Sequence, residues 1–101
     1  GPEAFALFHN AATVHGRLGA SALLNPRLTA ELRSQQFTES ATRAVDLLRE
    51  AFDIARSDAT VAQAMLTAMQ TDEALRSIRG SKAYGKFIEE LSKELSGGTS
   101  K

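Results

Sequence analysis

The sequence contains no cysteine and no tryptophan, only two prolines, and 6% aromatic residues. Without cysteine there is no disulfide framework, no thiolate nucleophile and no cysteine-ligated zinc. Two prolines and seven glycines, in a chain rich in alanine and leucine, argue against a turn-rich β architecture and for helix. An excess of either charge is missing too: 12 Lys and Arg balance 12 Asp and Glu, so no global field draws in nucleic acid or an anionic membrane. Long apolar runs are absent, because His9, Asn10, His15 and Arg17 punctuate the most hydrophobic stretch. A membrane span and a secretory signal are therefore not expected. What remains is 101 residues, 43% of them apolar, enough to bury one small core.

Gly1-Pro2 reads as the remnant of a cleaved tag, residues 3–95 as a single helical domain, and residues 96–101, ending Gly97-Gly98-Thr99-Ser100-Lys101, as a flexible polar tail. Charge is spread unevenly, with only Glu3 and Arg17 in the first 26 residues. In that segment Ala4, Leu7, Ala11, Val14 and Leu18 form one stripe at helical spacing, and Phe5, Phe8, Ala12 and His15 form a second beside it. A helix apolar over so much of its circumference is expected to sit centrally or in an interface. Gly16, Gly19 and Ala20 either break it or let a neighbouring helix approach closely.

Asn25-Pro26 has the form of a helix start, with a short helix expected over 26–35 that buries Leu28 and Leu32. Thr38 or Ser40 is then expected to cap a longer amphipathic helix carrying Ala41, Val45, Leu48, Phe52 and Ala55 on one face. Its outer face offers Glu39–Arg43 and Arg49–Asp53 pairs at i, i+4. Ser57-Asp58 and Thr71-Asp72 are further caps, the first opening a helix with Val61, Met65, Ala68 and Met69, the second a short segment with Leu75 and Ile78. Gly80 suits a left-handed C′ position, Ser81 a cap, and residues 82–95 a last helix burying Tyr84, Phe87, Ile88, Leu91 and Leu95. The fold class predicted is all-α: a small antiparallel four-helix bundle with short extra helices, or a hook-like turn, near Gly80.

Few patterns carry chemistry. Gly80 to Phe87 spells Gly-x-x-x-x-Gly-Lys, but Phe stands where a phosphate loop needs Ser or Thr, and no strand precedes it. The expected reading is a glycine turn between helices, with Gly80 and Gly85 as structural residues. His9 and His15 lie six apart and cannot form the i, i+4 pair of a helical metal site, so no metal and no cofactor are expected. No acid lies between Glu3 and Glu31 to partner either histidine, and no nucleophile, base and oxyanion donor assemble: the chain does not read as an enzyme. Glu89–Lys93 on the last helix is an ordinary surface pair, and Met65 and Met69 are core filler. The distinctive feature is an all-basic run, Arg76, Arg79, Lys82 and Lys86, with no acid from 74 to 88. Ordinary solvated residues, contact with an acidic protein surface, and a phosphate or nucleic-acid backbone are the readings open to it, the last disfavoured by the neutral chain.

From about Arg43 to Leu95 the order of elements resembles the BID domain, the Bep-intracellular-delivery module of type IV secretion substrates. The likeness lies in a long helix, a break, a second helix from Thr60 to Gln70, a connector from Asp72 to Ile78, then Ile78-Arg79-Gly80 with Gly85 five positions on. Ile78, Gly80 and Gly85 match the family's Leu-Ala-Gly and following glycine; Arg79 replaces its alanine, and this neutral chain lacks the family's basic character. Asn25-Pro26-Arg27-Leu28 and Thr38 to Ala44 also resemble the C-terminal regions of rhizobial-type conjugative relaxases. The resemblance implies a four-helix bundle topped by a hook, with no catalytic activity. It implies a translocation signal within a larger relaxase or effector, recognised by the type IV coupling protein, in the bacterial cytoplasm before export. The basic run would be its docking contact; a homodimerising interaction module and a weak nucleic-acid accessory domain are the alternatives.

Overall fold

The computed structural model describes residues 2–97, with side chains from Ala6 to Glu94. Gly1 and residues 98–101 of the expected tail, and the side chains of Ala4, Phe5 and Leu95, lie outside the described residues. Four helices follow one another, α1 (Pro2–Leu24), α2 (Ala30–Ala55), α3 (Ala59–Thr71) and α4 (Lys82–Gly97), with 3-10 turns at Glu73–Leu75 and Ile78–Gly80 between the last two. No strand occurs among the described residues, and the all-α bundle expected from the sequence is what forms.

The α1–α2 hairpin is the backbone of the molecule, and residues 25–29 turn the chain between its arms. Asn25 Oδ1 accepts from the Arg27 N–H at 3.0 Å, and Arg33 reaches back to donate to the carbonyls of Asn25 and Leu28 at 3.0 and 2.7 Å. Thr29 is the N-cap of α2, its hydroxyl accepting from the Leu32 N–H at 3.1 Å. The helix expected over 26–35 and the one expected from Thr38 are thus a single helix of 26 residues, with no proline or glycine in its span to break it. Leu32 is not buried but 43% exposed. Asn25 caps a turn rather than a helix; Thr29→Ala should lower stability by about 1 kcal/mol, read from a urea melt.

The core sits on the second half of α2, where Ala41, Ala44, Val45, Leu48, Ala51, Phe52 and Ala55 recur at i, i+3, i+4 and i+7. Against them pack Ala12 of α1, Ala62, Met65 and Met69 of α3, Leu75 and Ile78 of the 3-10 turns, and Tyr84, Phe87 and Leu91 of α4. Asp58 caps α3, its Oδ1 accepting from Thr60 and Val61, and Ser81 Oγ accepts from the Tyr84 N–H at the start of α4. The first half of α2 carries no buried residue before Ala41, so the hairpin projects beyond the bundle and the molecule is elongated, 49 × 29 × 18 Å.

Glycine in α1 serves close approach, not a break. A Cβ on Gly16 would collide with the main-chain oxygen of Ala74, and one on Gly19 would press on Phe37 and Ser40 at 3.3 Å. The glycine face of α1 therefore lies against its neighbours, and the stripe of larger aliphatics faces out: Leu7, Val14 and Leu18 are 69%, 55% and 53% exposed. Of the helix expected to sit centrally or in an interface, only the small-residue side is covered, because contact at backbone distance selects the side with the smallest residues. Gly80 is corrected as well: no glycine among the described residues has positive φ, and Gly80 closes a right-handed 3-10 turn.

Candidate docking site around the 3-10 turns

The stretch from Asp72 to Lys86 holds the basic run Arg76, Arg79, Lys82 and Lys86 and both glycines, Gly80 and Gly85, and Asp72 organises it. Its backbone N–H donates to the Ala68 carbonyl, closing α3, while its Oδ1 accepts from the Ala74 N–H at 2.9 Å, opening the next turn. Its Oδ2 meets His9 Nε2 of α1 at 3.2 Å. Burial of the carboxyl works to raise its pKa, but the Ala74 N–H, the His9 ring and the charge on Arg17 together outweigh that and hold it below the ordinary aspartate value. The ionised form is the one favoured by folding, so its contribution is complete above the unfolded pKa of about 4 and disappears as pH falls through the lower folded value. Asp72→Asn should therefore flatten the acid limb of a Tm-against-pH curve below about pH 4.

Arg79 belongs to this framework. Its guanidinium donates to the Met69 carbonyl at 3.0 Å, one of the last carbonyls of α3, and to the Asp72 carbonyl at 2.7 Å, which also accepts from the Leu75 N–H at 3.1 Å. Tyr84 adds a third donor there, its hydroxyl 3.2 Å from the Met69 oxygen. Burial pushes the Tyr84 hydroxyl above its ordinary pKa, the Arg79 charge opposing, so it stays protonated and donating. Of the four basic residues in the run, Arg79 is therefore half-buried and structural, while Arg76, Lys82 and Lys86 are exposed. Arg76 stands beside Arg17 and Glu73 in a shallow groove between α1 and the first 3-10 turn; Lys82 and Lys86 lie one turn apart on the first part of α4.

Gly80 and Gly85 are both exposed, and a Cβ built on either meets nothing within 4 Å. Gly85 is no turn residue, since it sits inside α4 and its N–H donates to the Ser81 carbonyl at 3.0 Å. Neither glycine is required by turn geometry or packing, and Gly85 weakens the helix that contains it. Gly85→Ala should raise stability by about 0.5–1 kcal/mol in chemical denaturation.

The groove between α2 and α4 is a seam of paired charges: Arg49 reaches across to Glu90, and Arg56 bonds Asp53 at 2.9 Å and Glu94 at 3.3 Å. Arg49 also stacks over Phe87, 4.9 Å from its centroid. The expected Arg49–Asp53 pair is thus replaced by an interhelical one, because packing α4 against α2 brings Glu90 within reach. His9, for which the sequence supplied no nearby acid, finds one 63 residues away. No residue pattern marks that pairing; only the folded connector creates it. Among the described residues no cluster of three or more metal-ligating side chains occurs, and no helix is long and apolar enough to cross a membrane. Compared with models of known families, with curated proteins and with solved structures, the chain matches none of them.

Proposed function

We propose that the domain is a non-enzymatic translocation signal, carried by a larger relaxase or effector and recognised by the type IV secretion coupling protein through the end of the bundle formed by the 3-10 turns and the start of α4. One observation carries this reading: three exposed cations, Arg76, Lys82 and Lys86, lie within eleven residues of two exposed glycines that the fold does not need. Bare backbone beside lysine favours a partner surface that lies flat against the chain and bears carboxylates. The sequence resemblance to the BID module supports it, since Ile78, Gly80 and Gly85 stand at the spacing of that family's Leu-Ala-Gly and following glycine. Three exposed cations on a neutral chain do not make a stripe long enough to track a nucleic-acid backbone, which places that alternative second.

The test is transfer of a reporter fused to the 101-residue chain from a donor strain with a functional type IV channel and from one lacking its coupling protein. Coupling-protein-dependent transfer is the expected result, and no transfer from either strain contradicts the reading. Gly80→Ala with Gly85→Ala sharpens it: the doubly substituted domain should melt no lower than the parent yet transfer less, whereas a purely structural role for the glycines moves both readouts together.

A further inference from the structure

The outer face of α1 offers a second surface, remote in sequence from the connector. Leu7, Ala11, Val14 and Leu18 run along it at spacings of four, three and four, with Leu7, Val14 and Leu18 more than half exposed. That spacing reads the same in both directions. If two copies of α1 are laid antiparallel about a two-fold axis between Ala12 and Thr13, Leu7 of each falls opposite Leu18 of the other and Ala11 opposite Val14. Large meets large at the ends and small meets medium at the centre, the self-complementarity an isologous contact requires.

Charge selects the same arrangement. Between Ala6 and Pro26 the only charged side chain is Arg17. In a parallel pair Arg17 would lie beside its own mate. In the antiparallel pair the two are nine residues apart along the axis, about 13 Å, beyond the screening length at physiological salt. We infer that α1 is a homodimerisation surface that pairs antiparallel with α1 of a second copy through Leu7, Val14 and Leu18. The helix is 23 residues long, so the contact covers on the order of 1,000 Å² in total, at the weak end of specific interfaces, and the dimer should dissociate at tens to hundreds of micromolar.

Sedimentation equilibrium of the full chain from about 10 μM to 1 mM should show a monomer–dimer equilibrium, weakened at least about tenfold by Val14→Glu. Circular dichroism should find Val14→Glu as helical as the parent, because the side chain is exposed. Register is read by oxidative cross-linking in this cysteine-free chain. Leu7→Cys mixed with Leu18→Cys should form a disulfide-linked dimer, and each alone should not, since like positions stand about 16 Å apart across the axis. A chain monomeric throughout, a dimer indifferent to Val14→Glu, or cross-linking of either single variant as efficient as the mixture would each overturn the inference.

Discussion

Gly16→Leu should destabilise the domain by about 3 kcal/mol, measured as a shift in the urea midpoint at unchanged slope. The reason is backbone meeting backbone. At Gly16 the α1 main chain touches the segment after α3 directly: a Cβ there would overlap the Ala74 carbonyl oxygen, and the Gly16 carbonyl accepts from Ser77 Oγ at 3.1 Å. A main-chain oxygen cannot rotate away as a side chain can, so accommodating leucine requires α1 and the connector to separate. That separation also strains the His9–Asp72 bond, about two turns along the same helix. Gly19→Ala is the contrasting case, since its new methyl meets the Phe37 ring and the Ser40 Cβ at 3.3 Å, tight contacts relieved by shifts of a few tenths of an ångström, rather than overlapping a main-chain oxygen. The order expected is Gly16→Leu far below the parent, Gly19→Ala slightly below it and Gly85→Ala above it.

The second large effect is expected at Arg79. Arg79→Ala removes a charged donor from two main-chain carbonyls, Met69 and Asp72, and should lower stability by about 2–3 kcal/mol. Each carbonyl keeps one other donor, the Tyr84 hydroxyl on Met69 and the Leu75 N–H on Asp72, so the loss is that of the charged bonds alone. Both bonds come from a single nitrogen, Nη1, so Arg79→Lys, whose ammonium also carries several donors, should recover part of the loss, short of all of it because the shorter, more strongly hydrated side chain must give up water to reach the same carbonyls. Lys82→Ala and Lys86→Ala, by contrast, should leave the melting curve within about 0.5 kcal/mol of the parent. This difference bears on any docking experiment: a failure of Arg79 variants to bind reports the fold, and only Arg76, Lys82 and Lys86 report the surface.

Much of the architecture was legible in local signals. The caps at Asp58, Asp72 and Ser81 are side chains whose oxygens accept from N–H groups two or three residues on, so the sequence window that predicts them contains both partners. The α2 core stripe from Ala41 to Ala55 is equally local, a matter of helical period. Two of the readings that needed correction turn on contacts outside their own sequence window. Hydrophobicity marked two apolar stripes on α1 without saying which faces inward, and the approach of Ala74 and Phe37 to Gly16 and Gly19 turned the Leu7–Val14–Leu18 stripe outward. Asn25-Pro26 imitated a helix start because Asx turns and N-caps use the same side-chain oxygen; Arg33, eight residues on, anchors the turn and leaves Thr29 as the cap.

The candidate site divides along the same line. The basic run was visible as a run, but all four cations look alike in sequence, and only the fold shows Arg79 turned onto the end of α3 while the other three stay in solvent. The glycines were visible too, with the wrong reason attached. Gly80 does lie in a turn, but a right-handed 3-10 one that any residue could adopt, and Gly85 lies within a helix.

The measurement that bears most directly on the central claim is reporter transfer by the triple variant Arg76→Glu, Lys82→Glu, Lys86→Glu, paired with its thermal melt. Its melting temperature should fall within a few degrees of the parent while coupling-protein-dependent transfer drops at least tenfold, in proportion to about 1.4 kcal/mol or more of lost recognition. A folded triple variant that transfers as well as the parent would contradict the account.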